Sequence, residues 1–568
     1  MKRRKKAQKF SISDVRSYCL LLALAGLLLL VPGAAIMPLL DRDEPKFSEA
    51  TREMMVNRNW IVPYFNNEYR FDKPVLTYWL MSLGYRAFGV NELGARVHSI
   101  LSTILLALAV FVFGRRLVGD RGALWGAITM LLSAQFFVHG RGAVADMPMV
   151  LAVAIAMFGI HQLLFGEGKD RRANFLITYL ALGLGFLAKG PIAILVPVLA
   201  LALYGVFSWR ARRKDQDEAL AEAPLWRRLH LILGALVALA VVAPWGIRAL
   251  VLTEGAFWDV GVGRHVVDRG MRAFNKRIPI PGYYFVTFFL SAAPWAAWIG
   301  HFLIWLRRNW TREHAFLVAW WMSPYLIFLC YRTQLPHYVL PGLPAFFLLF
   351  GKFCQHPGLK FPRWCDRLKT AVFALYTTVG VIGLGMMFAP LPSVRYVGAA
   401  LALIAAGLLF AARAKKRPGW VPVLGGLLLL AAGAHCLGKG LRVQHPVIAL
   451  QPTFATLPEN ARCAYWGFSE PSIVFYSKKF WNAKARSAED VQDLLDSGSY
   501  DLIVTLETEL KPDRWFQAKY LGKELEMKDR RADLDTIQAP GYEVAKVEGL
   551  NIAHGSWVVL RTYRKAEQ

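Results

Sequence analysis

Long apolar runs alternate with short polar loops along the chain as far as about residue 437. The first run is Tyr18–Leu40 and the last is Val421–Leu437, with runs such as Ala95–Gly114, Gly122–Val138, Met147–Phe165, Asn174–Ala188 and Tyr283–Leu306 between them. About 20 apolar residues in a helix cross the ~30 Å hydrocarbon layer of a bilayer. On that measure the pattern predicts about thirteen membrane spans, several of them near the lower length limit. Proline and glycine inside such runs are tolerated where neighbouring helices pack against them.

The loops sort by charge. The chain opens with the basic block "MKRRKKAQKF", and every second loop after it is basic: "GRRLVGDRG", "GEGKDRRA", "RARRKDQDEALAEAPLWRR", "RRNWTR", "KFCQHPGLKFPRWCDRLK" and "RAKKRP". Cytoplasmic loops of membrane proteins carry such an excess of Lys and Arg, so the pattern predicts a cytoplasmic N-terminus. The alternate loops then face outward, and an odd span count places the C-terminal region outside as well. The first run reads as an uncleaved anchor, because it is long enough to span and no small-x-small site ends it.

Two outer loops, 41–94 and 251–282, are too long to be simple connectors. The first opens "PLLDRDEPKFSEATREMM". Within Pro45–Arg58, the residues Phe47, Ala50, Met54 and Met55 form an apolar stripe, which predicts a helix lying in the membrane interface. Pro74–Phe88 is apolar nearly all round and too short to span. From about Leu441 the pattern changes. "ARCAYWGF", "YDLIVTL", "YEVAKV" and "GSWVVLRTY" alternate as strands, and "SAEDVQDLLDSG" reads as a helix with a Ser cap and a Gly stop. The expected fold is a polytopic α-helical membrane protein: residues 1–440 form the transmembrane part, with interfacial helices in the first outer loop, and residues 441–568 form a small α/β domain on the outer side.

Composition supports this class. Of 568 residues, 55% are hydrophobic, too apolar for an ordinary soluble chain. The formal net charge of +27 follows from basic loops and does not imply nucleic acid as a partner. The 6 cysteines have no metal or disulfide spacing, and no GxxxxGK[ST] phosphate loop occurs. The sequence commits to no metal and to no cofactor.

The alternating topology places Asp41, Asp43, Glu44, Asp72, Lys73, His139, Arg141, Asp146, Lys189, Arg264, His265, Arg269, Arg332, Gln334, His337 and Tyr338 at outer membrane ends. Ionisable groups there are costly unless paired or functional. Acids among bases at a lipid surface suit a site that handles a lipid phosphate. Each residue also has a plainer role. Asp43 or Glu44 ahead of Pro45 suits a helix N-terminus. Lys73 and Lys189 suit headgroup anchors. His139 and His337 have no paired ligand spacing and read as structural or interfacial. Asp41-Arg42-Asp43 fits a DxD pattern, but three residues specify little.

The stretch from "LLDRDEPKFSEATREMM" through "WIVP" to "FDKPVLTYWL" resembles the first outer loop of the aminoarabinose transferase family, which groups with the protein O-mannosyltransferases among GT-C membrane glycosyltransferases. Weaker echoes follow in "LAKGP", "APW" and "QLPHYVLP", and "EPSIVFYS" resembles the start of that family's C-terminal domain. The resemblance implies an inverting transfer of a sugar from a polyprenyl-phosphate donor, such as an undecaprenyl one, at the outer leaflet of a bacterial inner membrane. The acceptor would be a lipid of the lipid A kind, a glycan or a protein. By the same resemblance Asp43 and Glu44 are the catalytic acids. Lys73, Arg264, His265, Arg269, Arg332 and Tyr338 would bind the donor phosphate, with Asp72, Lys189 and His337 in support. One departure stands out: Arg264 precedes His265 where the family commonly has an acid.

The chemistry is coherent with a site outside the cell membrane. Nucleotide sugars are absent there, so activation arrives on a lipid, and the leaving phosphate needs nearby Lys or Arg. Asp43 would act as general base on a hydroxyl acceptor. With a phosphate acceptor it would orient the acceptor or stabilise positive charge at the sugar carbon. The alternatives are a transporter or lipid flippase, a glycan ligase with another donor, or a membrane scaffold. Against the first, no internal repeat is evident and the charges gather on one side.

Overall fold

Ser11 starts the first helix, α1 (Ile12–Leu30), with a reciprocal cap: its hydroxyl accepts from the Asp14 N–H at 3.1 Å, and Asp14 accepts from the Ser11 N–H at 2.8 Å. The computed structural model describes residues 10–166, 170–214, 225–261, 263, 280–356, 359–387, 392–412, 420–511 and 528–566. After α1 come α2 (Asp43–Val56), α3 (Leu76–Phe88), α4 (Glu92–Val118), α5 (Asp120–Leu131), α6 (Ala134–His139), α7 (Asp146–Phe165) and α8 (Arg171–Lys189). Ten to fifteen-residue and longer helices continue to residue 444, and an aromatic core that includes Trp295, Trp305, Trp320 and Phe346 fills the space between them.

Eight of the described helices are long and apolar enough to cross a membrane, and nine if one bent pair counts as a single span. This count is below the thirteen expected from the sequence, and local breaks explain much of the difference. The run Gly122–Val138 is divided at Leu132 and Ser133 into α5 and α6. At 1.5 Å per residue, the 12 residues of α5 rise only ~18 Å. The run Tyr283–Leu306 bends by 115° between Tyr283–Ser291 and Trp295–Arg308.

Helix α5 packs on the later helix Leu343–Cys354 with almost no space between the backbones. A Cβ on Gly351 would lie 2.1 Å from the Gly122 carbonyl oxygen and 2.4 Å from the Gly126 amide nitrogen. Gly122 and Gly126 are four apart, so both face the same neighbour.

The first long loop, between α1 and α4, folds as helix, hairpin, helix. Between α2 and α3, strands β1 (Tyr64–Phe65) and β2 (Glu68–Tyr69) pair across Asn66-Asn67, whose φ values of 55° and 61° are the left-handed pair that a two-residue hairpin turn requires. The apolar stripe of α2 faces protein. Phe47, Ala50 and Met54 are buried in one cluster with Tyr78, Met81 and Tyr85 of α3 and with Ile473 and Phe475 of the C-terminal part. Helix α2 also buries Glu44, Ser48, Glu49, Thr51 and Glu53, so it is wedged between protein surfaces, and its apolar stripe is covered by protein where the sequence suggested lipid. Polar residues on that wedge need partners that lipid cannot offer.

Beyond residue 444 the chain forms a six-stranded mixed sheet in the order β4-β3-β5-β8-β7, with β6 paired to β5. Its strands are β3 (Arg462–Trp466), β4 (Phe480–Lys484), β5 (Leu502–Leu510), β6 (Lys528–Asp529), β7 (Tyr542–Asn551) and β8 (Ser556–Lys565). The buried helix Pro471–Ser477 crosses between the parallel strands β3 and β4. The helix Ala488–Asp496 carries the Ser487 cap, which accepts from the Asp490 N–H at 3.1 Å.

Gly351→Leu forces α5 away from its neighbour. Overpacking costs about 1–3 kcal/mol, so thermal unfolding in detergent should begin several degrees lower. Gly205→Ala is the control, since nothing lies within 4 Å of its Cβ position.

Candidate active site

Arg96 stands one turn into α4 with its side chain fully buried. Its Nε donates to Glu44 Oε1 at 3.0 Å and its Nη2 to Glu44 Oε2 at 2.7 Å. The remaining donors reach the carbonyls of Ala34 and Pro38, both at 2.8 Å, and that of Met37. Glu44 is equally committed: Oε1 also accepts from the Ala143 N–H and Oε2 from the Leu40 N–H, both at 2.7 Å. The strap 34–40 and the start of α2 are thus wired to α4. Glu44, expected to be a catalytic acid, has both carboxylate oxygens engaged by Arg96 and by backbone N–H groups. Sequence reasoning missed Arg96, although an arginine two positions into an apolar run is the costly kind of residue that signals a partner.

Asp43 is the first residue of α2 and is exposed. No described residue hydrogen-bonds its carboxylate, and the helix N-terminus favours its negative charge. Lys46, one turn on, was also missed by sequence reasoning. Burial and the nearby Arg70 hold its ammonium below the usual lysine range, against the pull of Asp43 and Asp72. Arg70 donates to Tyr78 Oη at 3.1 Å and to Asp72 Oδ2 at 3.0 Å, with its guanidinium 5.0 Å from the Phe47 ring centroid. Lys73 Nζ donates to the Asp72 carbonyl at 3.0 Å and to Oδ1 at 3.3 Å. Asp72 therefore holds two cations, of which Arg70 also feels the charge of Asp43.

A second group adjoins the first. Lys189, at the end of α8, donates to Asp146 Oδ1, at the start of α7. The rings of His139 and His337 stack at 4.9 Å, and Lys189 Nζ lies 5.9 Å from the Tyr338 ring centroid. Asp146, Lys189, His139 and Lys73 all act electrostatically on His337, so these expected residues share one locality. The Thr77 hydroxyl ties α3 to α8 through the Ala188 carbonyl at 3.3 Å. Arg332 is exposed in the loop before Pro336. Arg264, His265 and Arg269 lie outside the described residues.

The strap and the C-terminal part meet at Asp41. Its Oδ1 accepts from the Ser472 N–H at 2.9 Å and its Oδ2 from the Ser472 hydroxyl at 2.8 Å, with His445 Nε2 at 3.9 Å. Burial pushes the Asp41 carboxyl up to about 7 against those two hydrogen bonds, helped by repulsion from Glu470 and Glu44. Nearby, Glu470 accepts from Asn551 Nδ2 at 3.0 Å and lies 3.1 Å from His554, which in turn is 3.2 Å from Arg42.

The chain combines a bundle of membrane-length helices, an exposed carboxylate beside clustered cations in its first long loop, and a C-terminal sheet. The crystal structure of ArnT from Cupriavidus metallidurans bound to undecaprenyl phosphate matches 97% of this chain and 98% of that chain, with a TM-score of 0.75 and 19% sequence identity, so the two share a fold. Residues 72–247 match the family model described as dolichyl-phosphate-mannose-protein mannosyltransferase. An undecaprenyl phosphate-alpha-4-amino-4-deoxy-L-arabinose arabinosyl transferase of Erwinia tasmaniensis is 29% identical over 371 residues, 64% of each chain. The Pseudomonas aeruginosa protein of the same name is 30% identical over 349 residues, 59% of each. The chain thus matches a little under two thirds of these relatives' length. The chain is similar in sequence to these aminoarabinose transferases and shares the fold of the crystallised one.

Two outcomes follow from the pairings. Glu44→Ala strands the buried Arg96 charge, which costs about 3–5 kcal/mol. Thermal unfolding should show a far larger loss than Glu44→Gln, and Glu44→Ala with Arg96→Ala should be less than additive. At Asp41 the folded chain binds a proton that the unfolded chain has already released between pH ~4 and about 7. Stability therefore falls as pH rises through that window. Asp41→Asn should flatten this part of the pH–stability curve, and an unchanged slope would refute the assignment.

Proposed function

We propose that the chain is an inverting glycosyltransferase that moves a sugar from a polyprenyl-phosphate donor to a lipid A-like lipid, a glycan or a protein at the outer leaflet. The observation that carries this reading is the exposed, unbonded Asp43 carboxylate, held at a helix start beside Lys46 and Arg70. The relatives' names and the undecaprenyl phosphate in the matched crystal structure support the donor class. Nothing in those matches favours a transporter.

In this reading the inward-facing Glu44 fixes the helix start, and Asp43 meets the acceptor. With a hydroxyl acceptor, Asp43 takes the proton as the oxygen attacks the anomeric carbon and the polyprenyl phosphate leaves from the opposite face. A positioned base of this kind contributes roughly 10²–10⁴-fold. Lys73, with Lys189, Arg332 and Tyr338 and with Arg264, His265 and Arg269 of the second outer loop, receives the phosphate charge. Asp72 and His337 orient these groups. No cofactor takes part, and no metal is assigned.

The topology belongs to the same proposal. About thirteen crossings place the N-terminus in the cytoplasm of a bacterial cell. Residues 1–440 form the membrane-embedded part and residues 441–568 an extracytoplasmic α/β domain.

Asp43→Asn keeps the size and exposure of the side chain. It should leave expression and thermal unfolding unchanged while lowering transfer at least ~10²-fold, read as product formed from a radiolabelled polyprenyl-phosphate sugar. Turnover near the wild-type rate in this variant would remove Asp43 from the mechanism.

A further inference from the structure

The far end of α2 forms a second recess, at the seam between the first long loop and the C-terminal sheet. It is a cavity of about 110 Å³. At ~30 Å³ per water it has room for three or four waters, or for one sugar ring lying partly sunk. Glu49, Arg52, Glu53, Asn57, Asn67 and Phe480 line it. With Lys479, also in the lining, the charges cancel: two carboxylates and two cations. A phosphate would find no excess of positive charge here.

The walls are built and held. The Arg52 Nε and Nη2 grip Glu49 at 2.9 and 2.6 Å. Glu53 accepts from the Asn66 and Asn67 N–H groups at 2.6 and 3.1 Å, pinning the hairpin turn to α2. The Asn66 side chain then bonds both the N–H and the carbonyl of Trp481 at 2.9 Å, which fixes the turn to β4. Lys479 Nζ is occupied by the Pro458 carbonyl at 2.6 Å.

Among the described residues, the Asn57 and Asn67 amides and the Arg52 Nη1 make no hydrogen bond inside the protein. Phe480 is 43% exposed at the rim. The recess therefore offers two amides and one guanidinium edge, each able to bond a hydroxyl, beside one bare aromatic face.

We infer that this recess binds an uncharged sugar residue, and that it does so as a subsite for the acceptor. The second half of the inference rests on the proposed transferase activity. Glu53 lies ten residues along α2 from Asp43, and at 1.5 Å per residue the two ends are ~15 Å apart. That separation exceeds one sugar ring, so the occupant would be an acceptor unit beyond the one that reacts. Because the turn and helix are already fixed, binding costs little ordering.

The test uses the full-length chain in detergent, with maltotriose and mannotriose as separate probes and saturation-transfer NMR as the readout. Asn57→Ala with Asn67→Gly removes both amides while keeping the left-handed turn at Asn67. The expected result is saturation of sugar ring protons by the wild type and by Asp43→Asn, and a signal several-fold weaker in the double variant. In transfer assays the double variant should raise the KM for a glycan acceptor roughly 30-fold, as two neutral hydrogen bonds of about 1 kcal/mol each are lost, with kcat within about twofold. No saturation of either probe, equal saturation in the double variant, or displacement of the sugar by millimolar inorganic phosphate would overturn the subsite and leave a seam filled with water. Sugar binding without any transfer activity would instead defeat the transferase reading and keep the recess.

Discussion

The bidentate pair between Arg96 and Glu44 is the constraint on which the first long loop depends. A guanidinium with no solvent exposure is tolerable only when its donors are met, and here the carboxylate and three backbone carbonyls meet them. Those carbonyls belong to the strap between α1 and α2, so the pair sets the path of the chain as it leaves the first helix. It also sets the rotation of α2. Consecutive helix positions point about 100° apart. With Glu44 drawn inward to α4, Asp43 is turned outward, and the helix start presents one free carboxylate instead of two.

The C-terminal sheet is part of this support. Ser472 bonds both oxygens of Asp41, two residues before Asp43. The Tyr476 hydroxyl accepts from the Leu39 N–H at 2.9 Å and reaches Glu92 at 3.2 Å, at the first turn of α4. Arg442 joins the same carboxylate at 2.8 Å. The segment "EPSIVFYS", singled out by resemblance, thus earns its place by contact with the strap. The buried helix it forms holds the strap and the start of α2 from behind, and Asn66 repeats the arrangement at the hairpin.

Charge is distributed by the same logic. Asp72 pairs with Arg70 and Lys73, and Asp146 pairs with Lys189, so these cations are held in place. Paired cations remain attractive to a phosphate, because an ammonium carries more donors than one carboxylate engages.

The sequence by itself determined the elements and their chemistry wherever the signal was local. It was enough for the longest apolar runs, the helix start at Asp43-Glu44, the Ser487 cap and four of the six strands of the C-terminal part. Those features depend on spacings of two to four residues, and such spacings are visible in a string. The direction of the α2 stripe was misread, because an apolar stripe looks the same whether lipid or protein covers it. Which of the two acids faces in, that Arg96 is the partner 52 positions away, that Ser472 holds Asp41 from 431 positions away, and that a recess opens beside Glu53 were decided only by tertiary structure. Such pairings are fixed by which surfaces come together on packing, and no local periodicity carries that information.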